Sequence, residues 1–246
     1  MAESARHITW VTANELGSAM ETLARVYAPK GLVHVGVGQG GGLAQRWAAW
    51  QPEQLWLAEA NAERLEQGKR QLASAEAQAV SAHWHHGVLA AAAGDVGYFD
   101  GRLPMASGLL APKAFGGAFP ALKHVAPEPR AAITLDQWIN DTQPAAAPDW
   151  LLLDCFGADQ ILAGGRQAIA KADVIWLRSF RQALEAVDRP DDSPDAGLDD
   201  LLRESGFRLL LAAEGLQPQL CELLYVRDPR RQRAALDAQM RTSLTD

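Results

Sequence analysis

The chain has little of what marks secreted, membrane-spanning or nucleic-acid-binding proteins. Only two of its 246 residues are cysteines, too few for a disulfide framework or a thiolate metal cluster. No apolar run is long enough to cross a bilayer, and residues 1–12 lack the charged head and apolar core of a signal peptide. The net charge of −7 and a pI near 5.4 argue against general nucleic-acid binding. We therefore expect a cytoplasmic protein without membrane or nucleic-acid partners.

Hydrophobic content is ample, at 48% of the residues, and suits an α/β domain of ordinary to large size. Strand-like apolar runs alternate with helical patterns, and the last two runs, Phe207–Ala213 and Leu220–Val226, are close enough to pair as an antiparallel hairpin. This order predicts an α/β fold with a doubly wound, mostly parallel sheet that ends in an antiparallel hairpin. We divide the chain into an N-terminal helical extension (1–30), a main domain (31–227) and a C-terminal helical tail (228–246).

The stretch from Leu32 to Gly42 is the centre of this organisation. A β-branched strand runs into closely spaced glycines, which include Gly36, Gly38 and Gly40, and a helical pattern with Trp47 follows. Glycine allows unusual dihedral angles and removes the Cβ that would keep a ligand from the backbone. A strand, tight turn and helix of this kind is typical of nucleotide-like ligand sites, so we predict that these three glycines bind a cofactor.

An acid follows at the spacing that such a site requires. The strand Leu55–Leu57 leads to Glu59, about twenty residues after the glycine turn, where a ribose diol would be held. The alternative is an exposed acid at a strand end. Asp154 ends the later strand Trp150–Leu153, so the two acids and the glycines should share the carboxyl edge of the sheet. Asp154 is either a contact to the cofactor or acceptor, or a cap on the next helix.

Three other features carry weaker signals. His83, His85 and His86 have no carboxylate or thiol at matching spacing, and adjacent strand residues point to opposite faces, so we predict no metal site. The stretch from Ser107 to His124 is rich in glycine and proline and indicates a long loop, a type of segment that often covers a binding site. The aspartate-rich stretch from Asp188 to Asp200 indicates a solvated loop.

Four segments resemble motifs of the FkbM-type, S-adenosylmethionine-dependent methyltransferases. They read HVGVGQGG at His34–Gly41, LAEANAERL at Leu57–Leu65, ITLDQW at Ile133–Trp138 and LLDCFGADQILAGG at Leu152–Gly165. ESGF, just before the final hairpin, fits the same pattern. The resemblance implies the seven-stranded, Rossmann-like methyltransferase fold, with S-adenosylmethionine as cofactor. It also implies methyl transfer to a hydroxyl group, often on a sugar.

The chain departs from the family pattern at several positions. Val37 and Gly38 replace the usual Ala-Asn or Ala-His, and the acid or Asn expected near the third strand is missing. Arg178 stands where the family carries a Glu after the fifth strand, and Asp159 replaces the Glu of its GAE triplet. An arginine that faced a sulfonium cofactor would oppose its binding.

Two hypotheses therefore follow. The first is an O-methyltransferase that acts on a hydroxyl of a saccharide or similar small molecule, with Asp154 as the catalytic candidate. The second is a catalytically degenerate methyltransferase-like domain that serves as a protein-binding or assembly subunit, as a homodimer or with another protein.

Overall fold

The computed structural model describes residues 8–39, 43–74, 81–101, 106–115, 118–119, 125–143, 146–185, 195 and 197–229. The strands of the main sheet are β1 (Trp10–Val11), β2 (Gly31–Val35), β3 (Gln54–Glu59), β4 (Ser81–His86), β8 (Trp150–Leu153), β9 (Val174–Phe180), β10 (Phe207–Glu214) and β11 (Leu220–Arg227). A smaller sheet is formed by β5 (Val88–Leu89), β6 (Gly94–Tyr98) and β7 (Glu128–Ile133). The helices are α1 (Ala13–Val26), α2 (Leu43–Trp50), α3 (Ala62–Ser74), α4 (Leu135–Asp141), α5 (Ala158–Ala163), α6 (Arg166–Lys171), α7 (Gln182–Glu185) and α8 (Leu198–Glu204).

The main sheet has the order β1-β10-β11-β9-β8-β2-β3-β4. Strands β9, β8, β2, β3 and β4 run parallel to one another, whereas β11 is antiparallel to both β9 and β10. The prediction of a mostly parallel sheet with an antiparallel C-terminal hairpin is confirmed.

Both faces of the main sheet are covered by helices, as its apolar runs predict. Leu32 and Leu152 face a layer that includes buried residues of α1 and α2. Val33 and Leu151 face the opposite layer, which includes α4, α5, α6 and α8. Each central strand thus supplies alternate side chains to two separate cores, which is the doubly wound arrangement.

The N-terminal residues are joined to the main sheet. The short strand β1 pairs in parallel with β10, through Trp10 and Val11, and makes this an eight-stranded sheet where seven strands were expected. Helix α1 starts at a capping box in which the Thr12 hydroxyl and the Glu15 carboxylate satisfy each other's backbone N–H groups. A strand of two residues leaves no periodic pattern in the sequence, so only its pairing with β10 reveals it.

The smaller sheet was not expected. Strand β7 lies at its centre, parallel to β5 and antiparallel to β6. Strand β5 follows β4 directly in the chain, so the smaller sheet starts at the carboxyl edge of the main sheet. Across the described ranges, every helix is too short or too polar to pass through a bilayer.

Candidate cofactor site

The glycine turn begins where β2 ends. Gly36 has a φ of +86°, in the left-handed region, and its N–H donates to the carbonyl of Ala58 at the end of β3. A Cβ at this position would lie 2.6 Å from the carbonyl oxygen of Asp154. Glycine is therefore required at this position for two reasons: the dihedral angle and the close approach of the two strand ends.

Glu59 is buried, with 6% of its surface exposed, although it lies at the tip of a strand. One carboxylate oxygen accepts the N–H of Gly38 at 3.0 Å, and the other accepts the N–H of Asn61 at 2.9 Å. A Cβ on Gly38 would lie 2.7 Å from the same carboxylate, so this glycine is needed for contact with the acid. Glu59 therefore joins the glycine turn to the start of α3.

Asp154 does not cap the helix that follows it. Its carboxylate forms an ion pair with Arg178, with Oδ1 and Nε 2.5 Å apart, and its other oxygen lies 3.9 Å from Nε2 of His34. Helix α5 begins instead after Gly157, without a side-chain cap. His34 is fully buried with its ring edge-on to Trp47, as predicted for a core histidine, but neither ring nitrogen has a hydrogen-bond partner among the described residues.

These groups line one cleft at the carboxyl edge of the main sheet. The cleft is partly open to solvent. Tyr98 of the smaller sheet forms part of the wall, and so do Ser107, Gly108 and Leu109 of the long loop. The strand-end residues that line it include Gly36, Glu59, Asp154 and Arg178.

The long loop is held over this edge by aromatic packing. A 3₁₀ turn at Pro112–Phe115 inserts the ring of Phe115 against Phe156 and Phe180, with ring centroids 5.3 and 5.6 Å away. The described part of the stretch from Ser107 to His124 is mostly irregular, as predicted, and its role in covering a binding site stays a prediction. Lys113 is exposed, and His124 lies outside the described residues.

Two titratable groups in the cleft are held neutral. Burial, reinforced by the carboxylates of Asp154 and Glu59, raises the pKa of the Cys155 thiol. Burial also raises the pKa of Tyr98, and the negative charges of Glu59 and Asp100 add to this effect. Neither group can act as an anionic nucleophile or base near neutral pH.

Two arginines connect the cleft to the smaller sheet. Arg64 of α3 lines the cleft and lies 3.9 Å from a carboxylate oxygen of Asp100. Arg130 of β7 pairs with the same carboxylate at 3.1 Å, donates to the carbonyl of Ala60 and stacks on the Tyr98 ring. The backbone just after Glu59 is thereby fastened to the smaller sheet.

A buried acid lies behind the cleft. Asp195 is fully buried and accepts a 2.6 Å hydrogen bond from the Ser179 hydroxyl. Burial, together with the neighbouring Asp159 carboxylate, raises its pKa to about 8. The acidic stretch was expected to be solvated, but Asp195 and Asp199 are both buried, and Asp199 accepts a hydrogen bond from the Tyr225 hydroxyl. Residues 188–194 and 196 lie outside the described part.

The structure brings four of the five predicted site residues together. Gly36, Gly38, Glu59 and Asp154 lie at one edge, whereas Gly40 lies outside the described residues. His83 and His85 instead pack against Trp56 and Trp138, and within the described residues no cluster of His, Cys, Asp or Glu is arranged to hold a metal ion.

Sequence reasoning missed two residues of the cleft wall. Arg64 lies within the LAEANAERL segment, three residues after the helix cap Asn61, and this position could have indicated it. Tyr98 carries no comparable signal, because it reaches the cleft through the smaller sheet.

No protein-family model and no curated protein sequence matches the chain. Among solved structures, it is similar to the O-methyltransferase from Bacillus cereus in complex with S-adenosylhomocysteine, at 11% identity and a TM-score of 0.48, covering 92% of this chain and 84% of that chain. It is also similar to the O-methyltransferase TomG from Streptomyces achromogenes (17% identity, TM-score 0.45, covering 89% of this chain and 82% of that chain). An rRNA methylase from Streptococcus thermophilus has 10% identity and a TM-score of 0.45, covering 86% of this chain and 96% of that chain.

Proposed function

We propose that this chain is an S-adenosylmethionine-dependent O-methyltransferase that acts on a hydroxyl of a saccharide or similar small molecule. One observation carries the proposal: the Glu59 carboxylate is buried against the glycine turn, in a cleft that Asp154 also lines. The motif resemblance of the sequence supplies the reaction class.

The residues of the cleft fit a nucleoside cofactor. Each oxygen of Glu59 accepts one backbone N–H and has a second lone pair that a ribose hydroxyl can use. Gly36 lines the same cleft, and Gly38 lets Glu59 and Arg64 pack closely against the turn. Glu59, Gly36 and Gly38 would therefore hold the nucleoside part of the cofactor, together with Gly40 of the same motif.

When bound, S-adenosylmethionine would supply an electrophilic methyl group for in-line attack by an acceptor oxygen. The chain's own task is to orient the acceptor and to receive its proton. Asp154 is the candidate for the second role, because Cys155 and Tyr98 are neutral. Arg178 contacts Oδ1 of Asp154 in this arrangement, so proton transfer would use Oδ2, which lies 3.9 Å from Nε2 of His34.

The same ion pair favours a second candidate function. A carboxylate engaged by a guanidinium is poorly prepared to serve as a base, which is the arrangement expected of a catalytically degenerate domain. In that case the chain would bind a nucleoside ligand or a protein partner and would transfer no methyl group.

Calorimetric titration with S-adenosylmethionine and S-adenosylhomocysteine tests the proposal, with Glu59→Gln and Glu63→Gln as the compared variants. Glu63 is an exposed acid in the first turn of α3 and serves as the matched control. Loss of a charged hydrogen-bond acceptor should weaken binding by about tenfold or more in Glu59→Gln, and Glu63→Gln should bind like the wild type.

The two candidate functions then separate by turnover. Methyl transfer to a panel of saccharide hydroxyls, reduced in Asp154→Asn, supports the enzyme. Binding without transfer to any acceptor supports the degenerate domain. Absence of binding of either compound by folded protein at millimolar concentration overturns the methyltransferase proposal.

A further inference from the structure

The ionised groups of the cleft wall cancel in charge. Among the described residues that line it, the carboxylates are those of Glu59 and Asp154, and the guanidinium groups are those of Arg64 and Arg178. With Cys155 and Tyr98 neutral, these groups sum to zero. A sulfonium cofactor carries a positive charge on sulfur. The wall of this cleft has no net negative charge that would attract it.

Arg178 acts directly on the charge of the cleft. It belongs to β9, its side chain is 22% exposed, and its Nε lies 2.5 Å from the Asp154 carboxylate, of which only 5% is exposed. A pair this close presents little net field to a ligand, whereas Asp154 alone would attract a cation. The charge of the Asp154 carboxylate is thus neutralised.

A further acid lies opposite Arg178 in the sheet. Glu222 of β11 is paired with Arg178 across the two antiparallel strands. Burial raises the pKa of Glu222, which favours its neutral form. His34, on the other side of Asp154, adds no negative charge in any protonation state.

We infer that Arg178 is a specificity-determining residue that makes the cleft favour a neutral nucleoside thioether over a cationic sulfonium. The inference rests on the proposed function, because it concerns the same site. Beyond the proposed function, it states whether the preferred ligand is neutral or cationic, and it assigns that preference to one residue. The neutral form corresponds to S-adenosylhomocysteine, and the cationic form to S-adenosylmethionine.

The experiment measures dissociation constants of three probes by calorimetry: S-adenosylmethionine, S-adenosylhomocysteine and sinefungin, which carries an ammonium group in place of the methylated sulfonium. The proteins are the wild type, Arg178→Gln, Arg178→Lys and Lys171→Gln. Lys171 is an exposed cation at the end of α6, before β9 begins, so its variant matches the charge change at the opposite edge of the sheet.

The wild type should bind the neutral thioether more tightly than either cation. In Arg178→Gln, the affinity for both cations relative to the thioether should rise by about tenfold, as expected from removal of one nearby charge at a partly exposed site. Arg178→Lys retains the cation and should keep the wild-type ratio, as should Lys171→Gln. Thermal unfolding of each variant verifies that it is folded.

The possible failures are distinguishable. If all three probes bind but Arg178→Gln and Lys171→Gln give the same ratio as the wild type, the inference is overturned and the proposed function stands. If Arg178→Gln gains affinity for S-adenosylmethionine but not for sinefungin, the effect depends on the methyl group and not on the positive charge. The inference is again overturned. If no probe binds to the folded wild type, the proposed function and the inference are overturned together. If Arg178→Gln does not fold, Arg178→Lys remains as a test. A rise in its affinity for the two cations relative to the thioether would also overturn the inference.

Discussion

Glu59 and Gly38 are joined by a 3.0 Å hydrogen bond, from the glycine N–H to the carboxylate, across 21 residues of chain. The second oxygen of the carboxylate accepts the N–H of Asn61. Replacement of Glu59 by alanine leaves two N–H groups without their acceptor, and should lower the free energy of unfolding by about 2 kcal/mol. Urea denaturation of the ligand-free protein measures this loss.

The matched control for that variant is Glu63→Ala, four residues further along the chain. The Glu63 side chain is exposed in the first turn of α3, so its loss should cost less than about 0.5 kcal/mol. Equal unfolding midpoints for Glu59→Ala and Glu63→Ala would show that the carboxylate of Glu59 does not hold the turn.

Gly36→Ala should be strongly destabilising, because the new Cβ meets the Asp154 carbonyl oxygen at 2.6 Å in a backbone with a φ of +86°. Gly197→Ala separates these two effects. Gly197 has a φ of +83° and open space around its Cβ position, so it carries the dihedral cost alone.

We expect Gly197→Ala to cost about 1 kcal/mol and Gly36→Ala at least about 3 kcal/mol of unfolding free energy. Thermal or urea unfolding of the two variants gives the comparison. A cost for Gly36→Ala no greater than that for Gly197→Ala would argue against the close approach of β2 and β8 at their ends.

Asp195 should make the stability of the protein depend on pH. Its pKa is about 8 in the folded state and about 3.8 when unfolded, so between these values the folded state holds a proton that the unfolded state has lost. Stability therefore decreases as the pH rises from about 4 to about 8. Asp195→Asn cannot ionise and should remove this slope while it retains an acceptor for the Ser179 hydroxyl.

Urea unfolding at pH 5 and pH 9 measures the effect. Relative to the wild type, Asp195→Asn should gain on the order of 4 kcal/mol more at pH 9 than at pH 5. Asp141→Asn, at an exposed position at the end of α4, is the control and should not alter the slope. An unchanged slope in Asp195→Asn would contradict the prediction.

Phe115 should determine how firmly the long loop covers the cleft. Its ring is 3% exposed and contacts Phe119, Phe156 and Phe180. Phe115→Ala removes this anchor, at a cost of about 3 kcal/mol to the packed state of the loop. Native-state proteolysis should then cut within residues 106–119 at least tenfold faster than in the wild type.

Leu216→Ala is the control for this variant, because that side chain is 76% exposed in the turn between the last two strands. It should leave both proteolysis of the loop and global unfolding unchanged. If Phe115→Ala lowers the midpoint of global unfolding without faster native-state cleavage of the loop, Phe115 is a general core residue and not a local anchor.

Local pattern was sufficient for much of the fold. The continuous apolar run at Trp150–Leu153 predicts a strand buried on both faces, and it is one. Asn61 accepts hydrogen bonds from the first turn of α3, as its position before the helical pattern predicts. These features follow from neighbouring residues, whose periodicity and capping chemistry are contained within a few positions of sequence.

The glycine turn and Glu59 were also found from the sequence, because their spacing reflects one strand–helix–strand unit. The parallel order of β8, β2 and β3 then brings Asp154 to the same edge. For these residues the sequence determined which side chains would meet, since the carboxyl ends of parallel strands share one edge.

Only the tertiary structure decided what each charge contacts. Arg178 reaches Asp154 from a neighbouring strand, and Tyr98 reaches the cleft from a second sheet with no periodic signal of its own. Asp195, from a stretch that reads as solvated, is buried against Ser179. The sequence by itself determined the central strands of the main sheet, the helices between them and the edge at which the candidate site lies, but not β1 or the smaller sheet. The partners of its charges depend on distances between residues far apart in the chain, and only the packed fold sets those distances.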